Sequence, residues 1–89
     1  MKELRDTIEM MTSEDYKERF KAEFWQTKIR YHKLWAMLCR YESGELDFEP
    51  KCSEDLLRNQ LDAMSKYLRC LNERARIEGI ELDNNCVAG

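Results

Sequence analysis

The sequence predicts an all-α protein: an antiparallel hairpin of two long helices, at about 14–42 and 54–78, with a short N-terminal helix before it. Two observations predict this fold. In both long segments, apolar residues recur at alternating spacings of four and three, the pattern of a helical seam. The composition agrees, because 37% of the 89 residues are charged and only three are glycine and one is proline. We expect the hairpin to oligomerise into a helical bundle.

Residues 1–12 are predicted to form the short N-terminal helix. Leu4, Ile8 and Met11 are spaced by four and three residues and would share one face of it. A helix of this length is not stable alone in water. We therefore expect this face to dock on the hairpin.

The first long helix is expected to begin near Glu14. Thr12 and Ser13 precede two acidic residues there, an arrangement typical of helix starts. Ser43 and Gly44 would end the helix, since glycine readily adopts the left-handed conformation of a helix C-cap. The seam of this helix consists of Phe20, Phe24, Thr27, Tyr31, Leu34, Leu38 and Tyr41.

The second long helix has the same signals at its two ends. Ser53 followed by two acids predicts the start, and Gly79 predicts the stop. Its seam consists of Leu57, Leu61, Met64, Leu68, Leu71 and Ala75. Two long helices joined by a modest connector pack antiparallel.

The connector and the C-terminal segment are expected to contact the hairpin in part. In the connector, Leu46 and Phe48 alternate with acids, so one face would rest on the helices. Beyond Gly79, Ile80 and Leu82 would fold back. The hairpin domain is thus placed at residues 13–82, followed by a flexible tail at 83–89.

Both long helices also carry apolar residues away from their seams, and these predict a homo-oligomer. A chain of 89 residues buries too small a fraction of its surface to be comfortably stable alone. Apolar surface left in water costs about 25 cal/mol per Å². The predicted oligomer interface consists of Trp25, Ile29, Trp35, Met37, Leu56 and Tyr67.

The charges are unevenly placed. The net charge is −3, but the segment 17–40 holds seven basic and two acidic residues. Such a helix can attract a small anion, whereas the acidic remainder disfavours a long nucleic acid. A solvated basic helix face is the alternative explanation.

The sequence argues against catalysis, metal binding and membrane insertion. It contains no glycine-rich phosphate loop and no metal-ligand spacing, so no catalytic residue, metal or cofactor is predicted. His32, the one histidine, is expected at a surface or an interface rather than as a base. No apolar run approaches the roughly 20 residues that cross a bilayer. We expect a cytoplasmic protein.

The four cysteines are expected to be reduced thiols. Residues 1–11 lack the apolar core and the cleavage site of a signal peptide, so we do not expect the oxidising compartment in which disulfides form. Cys39 and Cys70 fall inside the two long helices, where cysteine behaves as a small buried apolar residue. Both are therefore predicted to be buried.

Aromatic and basic residues mix in the first long helix, and this combination suits a small nucleotide. Flat side chains stack on bases and cations bind phosphates. Packing into the core or an interface is the alternative for each aromatic residue. The predicted ligand-binding residues are Tyr16, Arg19, Lys28, Arg30 and Lys33 on the first long helix, and Arg74 on the second.

Two segments resemble a known group of proteins. Glu18-Arg19 to Glu23, continuing to Lys33-Leu34, resembles the E-R-x-x-x-E...K-L-x-x-F-I pattern of small helical phage proteins related to a crAss-like phage protein. Leu56-Leu57 to Tyr67, continuing to Leu71 and Arg74, resembles their L-L-x-x-Q-x-x-x-M-x-x-Y...L-x-x-R signature. Gln60, Met64, Tyr67 and Arg74 make the match informative, since a helical seam does not require them.

This group is similar to the anti-CBASS sponge proteins of phages. Those are small helical oligomers that sequester cyclic di- and trinucleotide immune signals without cleaving them. The resemblance implies a phage or prophage protein that acts in the infected host cell and binds a small cyclic nucleotide between protomers. Two alternatives stay open: a helical module that binds another protein, and an assembly factor of the virion.

Overall fold

The computed structural model of the chain describes residues 3–82, and 76% of this part is helical. A 3₁₀ turn, Leu4–Thr7, leads directly into the short helix α1, Ile8–Met11. Helix α2 spans Tyr16–Ser43 and helix α3 spans Glu54–Glu78. No strand occurs within residues 3–82. The all-α fold predicted from the sequence is confirmed.

The two long helices run antiparallel. Side-chain pairs along their length join the start of one helix to the end of the other: Tyr16 with Glu78, Glu23 with Tyr67, and Glu42 with Arg58. The described part measures 43 × 24 × 22 Å, so α2 runs through nearly its whole length. The hairpin is therefore the body of the molecule.

Local signals set three of the four ends of the long helices as predicted. The Ser53 Oγ accepts a hydrogen bond from the Leu56 backbone N–H at 3.1 Å and caps α3. Gly44 and Gly79 close α2 and α3 with φ of +76° and +71°. In this left-handed region a side chain would be strained, so both positions favour glycine.

The start of α2 differs from the prediction by two residues. Asp15, rather than Ser13, is the N-cap, and its Oδ1 accepts a hydrogen bond from the Lys17 backbone N–H at 3.0 Å. The Ser13 Oγ is instead engaged by the Asp15 backbone N–H at 3.0 Å. Ser13 and Asp15 both offer a capping side chain in this stretch, and Asp15 is the residue that caps α2.

The core lies at the end of the hairpin away from the connector. Phe24 and Leu71 are fully buried there, and Phe24 meets Trp25 edge to face with ring centres 5.4 Å apart. Ile80 and Leu82 return to this cluster, as predicted. Its buried members are Phe20, Phe24, Trp25, Leu68, Leu71, Ala75, Ile80 and Leu82.

The seam is less completely covered toward the connector. Leu38 is buried, but Leu34, Tyr41, Leu57 and Leu61 are only half-buried. A pair of helices shares one interface, and at this end no further segment of residues 3–82 shields it. The connector itself does little, because Phe48 is exposed and only Leu46 is half-buried. The prediction that both would rest on the hairpin is wrong for Phe48.

The N-terminal segment docks on α2 of its own chain, but only partly through the predicted face. Ile8 and Met11 are exposed and Leu4 is half-buried, whereas Thr7 is buried and Met10 packs against the core. The Gln26 Nε2 donates to the Thr7 Oγ1 at 3.0 Å and also contacts the Met11 sulfur. The prediction assumed α-helical spacing throughout, and the 3₁₀ turn changes which residues share a face.

The cysteines in the described part are free thiols. Cys39, Cys52 and Cys70 have no disulfide partner within residues 3–82, and all three are exposed. The predicted burial of Cys39 and Cys70 is wrong, because neither position belongs to a seam. Cys86 and the predicted tail at 83–89 lie outside the described residues.

The helices of the described part do not have the features of a membrane span. Within residues 3–82, none of them combines the length and the apolar character needed to cross a bilayer.

A phenylalanine pair tests where the stability resides. Phe24→Ala removes a fully buried ring, so we expect the free energy of unfolding to fall by about 3–5 kcal/mol. Phe48→Ala, at a ring that is 54% exposed, should cost less than about 1 kcal/mol. Urea unfolding followed by circular dichroism measures both. Equal losses would contradict the position assigned to the core.

Candidate functional site

The hairpin has two lateral surfaces, which lie to either side of the seam between α2 and α3. Tyr16 contacts Arg74, and Glu23, seven residues along α2, contacts Tyr67, seven residues back along α3. We call this side the Arg74 flank. The opposite side, where Glu42 pairs with Arg58, is the Arg58 flank. Every candidate residue can be placed relative to these two surfaces.

Tyr16, Phe20, Arg74 and Glu78 form a compact group at the core end of the Arg74 flank, which we call the Arg74 cluster. The Arg74 Nη2 donates to the Tyr16 Oη at 3.0 Å, and that hydroxyl donates to the Glu78 Oε1 at 3.0 Å. The guanidinium carbon lies 4.8 Å from the centre of the Phe20 ring. The cation is thus held by a hydrogen bond and by an aromatic face.

The electrostatics of this cluster keep the guanidinium charged. The hydrogen bond to Tyr16 raises the pKa of Arg74, and the carboxylates of Glu78 and Glu23 act in the same direction. The Arg74 side chain is 48% exposed, and its Nε lies 3.6 Å from the Glu78 carboxylate. This ion pair is long and open to water, so it is weak. An incoming anion can compete for the cation.

Tyr67 and Glu23 occupy the next level of the same flank. The Tyr67 hydroxyl donates a hydrogen bond to the Glu23 carboxylate. Both side chains reach across the seam from opposite helices, so this pair extends the polar surface of the Arg74 cluster. This end of the flank therefore presents phenols, carboxylates and the Arg74 guanidinium side by side.

The other predicted ligand residues are not gathered in the cluster. The Arg19 guanidinium donates to the Ser13 carbonyl at 2.8 Å, which ties it to the start of α2. Arg30 belongs to the Arg74 flank but lies 14 residues beyond Tyr16, about 21 Å along the helix. Arg30 and Lys33 are both exposed.

Lys28 lies on the opposite side of the hairpin from Arg74. It is 14 residues before Glu42, so it shares the Arg58 flank, and its Nζ lies 5.4 Å from the centre of the Phe24 ring. Of the six residues predicted to bind ligand, the structure brings only Tyr16 and Arg74 together. Sequence reasoning missed Phe20, which was assigned to the seam alone, and Glu78, whose spacing of four from Arg74 was an available signal.

The predicted interface residues are also dispersed. Trp25 is 6% exposed and belongs to the core cluster, and Ile29 is 7% exposed. Trp35 and Tyr67 are exposed but lie on opposite flanks, and Met37 is half-buried. Leu56 is exposed on the outer face of α3. The chain itself therefore covers two of the six residues.

A comparison with known families bears directly on this arrangement. The model of the Sequestin family matches residues 14–77, more than two thirds of the chain and nearly all of the hairpin. The chain belongs to the Sequestin family. The match supports the resemblance to phage sponge proteins that the two helix motifs indicated.

Membership of the Sequestin family indicates a sponge-like protein that sequesters its target, a binder rather than a catalyst. Tyr16, Phe20 and Arg74 all lie inside the matched segment. The N-terminal segment that docks on α2 lies before it. The Arg74 cluster is thus built mostly on the part of the chain that the family shares.

One curated relative is also similar in sequence. Over 57 residues the chain is 39% identical to the small ribosomal subunit protein uS2 of Acaryochloris marina (strain MBIC 11017). The match covers 63% of this chain but 19% of that protein, so the chain spans about a fifth of the relative's length. No solved structure matches the chain.

The described residues offer no obvious metal centre. Within residues 3–82, His, Cys, Asp and Glu side chains do not come together in groups of three that could hold an ion.

His32 has an unusual environment for an exposed helix. Burial lowers the pKa of His32, and the positive charge of Lys28, one turn earlier, lowers it further. Its Nε2 is shielded from water without a hydrogen-bond partner, and its ring meets that of Tyr31 edge to face at 5.5 Å. The neutral imidazole is therefore favoured in the folded chain.

This environment makes the stability depend on pH. The unfolded chain takes up a proton near the usual pKa of 6.5, while folded His32 resists it, so stability present above pH 6.5 is lost as the pH falls. We expect a lower thermal midpoint at pH 5.5 than at pH 7.5, and a smaller difference in His32→Gln. Differential scanning calorimetry at the two pH values measures this. An unchanged difference in the variant would contradict it.

Proposed function

We propose that this chain is a phage or prophage sponge that binds a small cyclic nucleotide immune signal and withholds it from the host defence. The observation that carries the proposal is the Arg74 cluster, where a charged guanidinium is oriented by Tyr16 and Phe20 at a half-exposed surface. Membership of the Sequestin family supports sequestration as the mode of action.

In this proposal Arg74 binds the phosphate. Its planar fork of donors suits the oxygens of a phosphate, and charge-assisted hydrogen bonds of this kind are strong. A phosphate would replace the Glu78 carboxylate, whose contact with the Arg74 Nε is 3.6 Å. The hydrogen bond from the same guanidinium to Tyr16 can persist, so the donor fork stays oriented while its anion is exchanged.

In this proposal the base stacks on the aromatic side chains of the cluster. The Tyr16 ring is nearly half exposed, and it lies 6.2 Å from the Phe20 ring beside the cation. A base stacked on an exposed aromatic ring gains about 1–3 kcal/mol. One cluster thus supplies both kinds of contact that a small nucleotide requires, and the binding involves no bond making or breaking.

Self-association is part of the same proposal. The exposed Trp35, Leu56 and Tyr67 lie on three different surfaces of the hairpin, so more than one further copy would be needed to cover them all. A homo-oligomer would also bring several clusters into one particle, acting in the cytoplasm of the infected cell.

Calorimetry tests nucleotide binding. Titration of the protein with cyclic dinucleotides, cyclic trinucleotides and cyclic ADP-ribose variants should give saturable heat with at least one of them. Arg74→Gln should weaken that binding at least tenfold, because a charge-assisted hydrogen bond contributes about 1.5–3 kcal/mol. Tyr16→Phe should weaken it less, since the ring remains. Chromatography of the released ligand should recover it intact.

Arg40→Gln is the matched control for these variants. It removes an exposed arginine near the far end of α2 and should leave the affinity unchanged. Absence of heat with every nucleotide would refute the proposal, and equal losses in the two arginine variants would refute the assignment to the Arg74 cluster.

A second candidate function is a module that binds another protein. The exposed rings of Trp35 and Phe48 are the observation that favours it. This candidate predicts no nucleotide binding and a protein partner that Trp35→Ala releases. A virion assembly factor, the third possibility, would be found in purified particles.

A further inference from the structure

The N-terminal segment, residues 3–11, joins α2 through a corner at residues 12–15. Tyr16 follows the corner directly, and it is also the residue whose hydroxyl accepts the hydrogen bond from Arg74. The first turn of a helix has backbone N–H groups without acceptors in its own helix, so it frays readily. The position of Tyr16 therefore depends on what holds the corner.

The corner is hydrogen-bonded to the end of α1. The Thr12 N–H donates to the Ile8 carbonyl at 3.2 Å, and the Ser13 N–H donates to the Met10 carbonyl at 3.3 Å. The Thr12 hydroxyl adds a bond to the Ile8 carbonyl at 2.9 Å. The corner thus continues the hydrogen bonding of α1 and is placed wherever α1 docks.

The same corner is hydrogen-bonded to the first turn of α2. The Arg19 guanidinium donates to the Ser13 carbonyl at 2.8 Å, and the Arg19 backbone N–H donates to the Asp15 carbonyl at 3.1 Å. Asp15 in turn caps the helix through the Lys17 N–H. The bond from Arg19 is charge-assisted, which makes it a strong one. It joins the corner to the turn that contains Tyr16.

The N-terminal segment has a specific seat on α2. Thr7 is 1% exposed, and its hydroxyl accepts a hydrogen bond from the Gln26 Nε2 at 3.0 Å and donates to the Leu4 carbonyl at 2.7 Å. Met10 packs against the core beside it. Gln26 is ten residues beyond Tyr16, about 15 Å along the helix. The seat is therefore remote from the Arg74 cluster.

These contacts form one connection from the seat at Gln26 to the cluster. We propose that the docked N-terminal segment holds Tyr16 in place for ligand binding, with Thr7 and Arg19 as positioning residues that do not touch the ligand. The proposal rests on the nucleotide binding proposed above and adds its regulation. A segment that is already docked removes the cost of ordering Tyr16 when the ligand binds, so docking and binding favour each other.

This role for Arg19 differs from the direct ligand contact predicted from the sequence. Its guanidinium is engaged by the Ser13 carbonyl, and Ser13 lies before the segment 14–77 that matches the Sequestin family. The positioning device is therefore carried largely by a part of the chain that the family match does not include.

Amide hydrogen exchange of the ligand-free protein tests the connection without any nucleotide. Thr7→Val removes the hydroxyl that Gln26 binds. It should speed exchange about threefold or more at the amides of Ser13 and Lys17, the factor expected when one hydrogen bond that holds the segment is lost. Nuclear magnetic resonance resolves these amides individually.

Thr27→Val is the matched control. The Thr27 hydroxyl donates to the Glu23 backbone carbonyl at 2.9 Å within α2, so the same chemical change is made away from the N-terminal segment. Exchange at Ser13 and Lys17 should stay as in the unmodified protein. Circular dichroism verifies that both variants remain helical.

Calorimetry with the nucleotide panel described above tests the effect on binding. Thr7→Val should weaken the binding of any nucleotide that gives saturable heat by about threefold, although Thr7 is buried on the far side of α2. Arg19→Gln should weaken it similarly. Because both act by releasing Tyr16, the double variant should lose no more than the weaker-binding single variant. The bound nucleotide should in turn slow exchange at Ser13 in the unmodified protein.

The outcomes separate the possible failures. Absence of heat with every nucleotide refutes the proposed function, and the ligand-free exchange experiment still decides whether the segment holds the first turn of α2. Faster exchange that stops at Ser13 and leaves Lys17 unchanged overturns the connection. Nucleotide binding that Thr7→Val leaves unchanged overturns the regulation but not the site. Losses that multiply in the double variant overturn the positioning role of Arg19 and indicate a direct contact with phosphate.

Discussion

The burial of Phe24 and Leu71 in one core cluster is the constraint on which the rest of the molecule depends. These two side chains are fully buried at the core end of the seam, and they fix how α2 and α3 are aligned along each other. That alignment decides which residues meet across the two flanks. Tyr16 reaches Arg74 because the seam places the first turn of α2 beside the last turns of α3. The candidate site is a consequence of core packing.

Much of the fold could be predicted because its signals are local. The ends of α3 follow from Ser53 and Gly79, and the seams follow from spacing alone. The start of α2 was less certain because Ser13 and Asp15 both offer a capping oxygen. The face of the N-terminal segment could not be deduced, since its first turn is a 3₁₀ turn, which the helix propensities of its residues do not predict.

The candidate site was less predictable for a physical reason. Composition shows that basic residues concentrate on α2, but it does not show on which side of the hairpin each one lies. Lys28 and Arg30 are two residues apart and occupy opposite flanks. Trp25 was assigned to an oligomer interface, and within one chain it is already buried in the core cluster. Such placements depend on contacts between distant segments, which one sequence leaves open.

Helix α2 is covered from two sides, by α3 and by the N-terminal segment that Gln26 holds through Thr7. Within residues 3–82, α2 is the one helix that packs against α3. The two helices should therefore tolerate change unequally over evolutionary time. Substitutions on the back of α2 near Ala22 and Ile29 are restricted by the volume available inside the chain. The outer face of α3 is exposed within residues 3–82, so its residues are restricted by any partner molecule that binds there and can diverge when that partner changes.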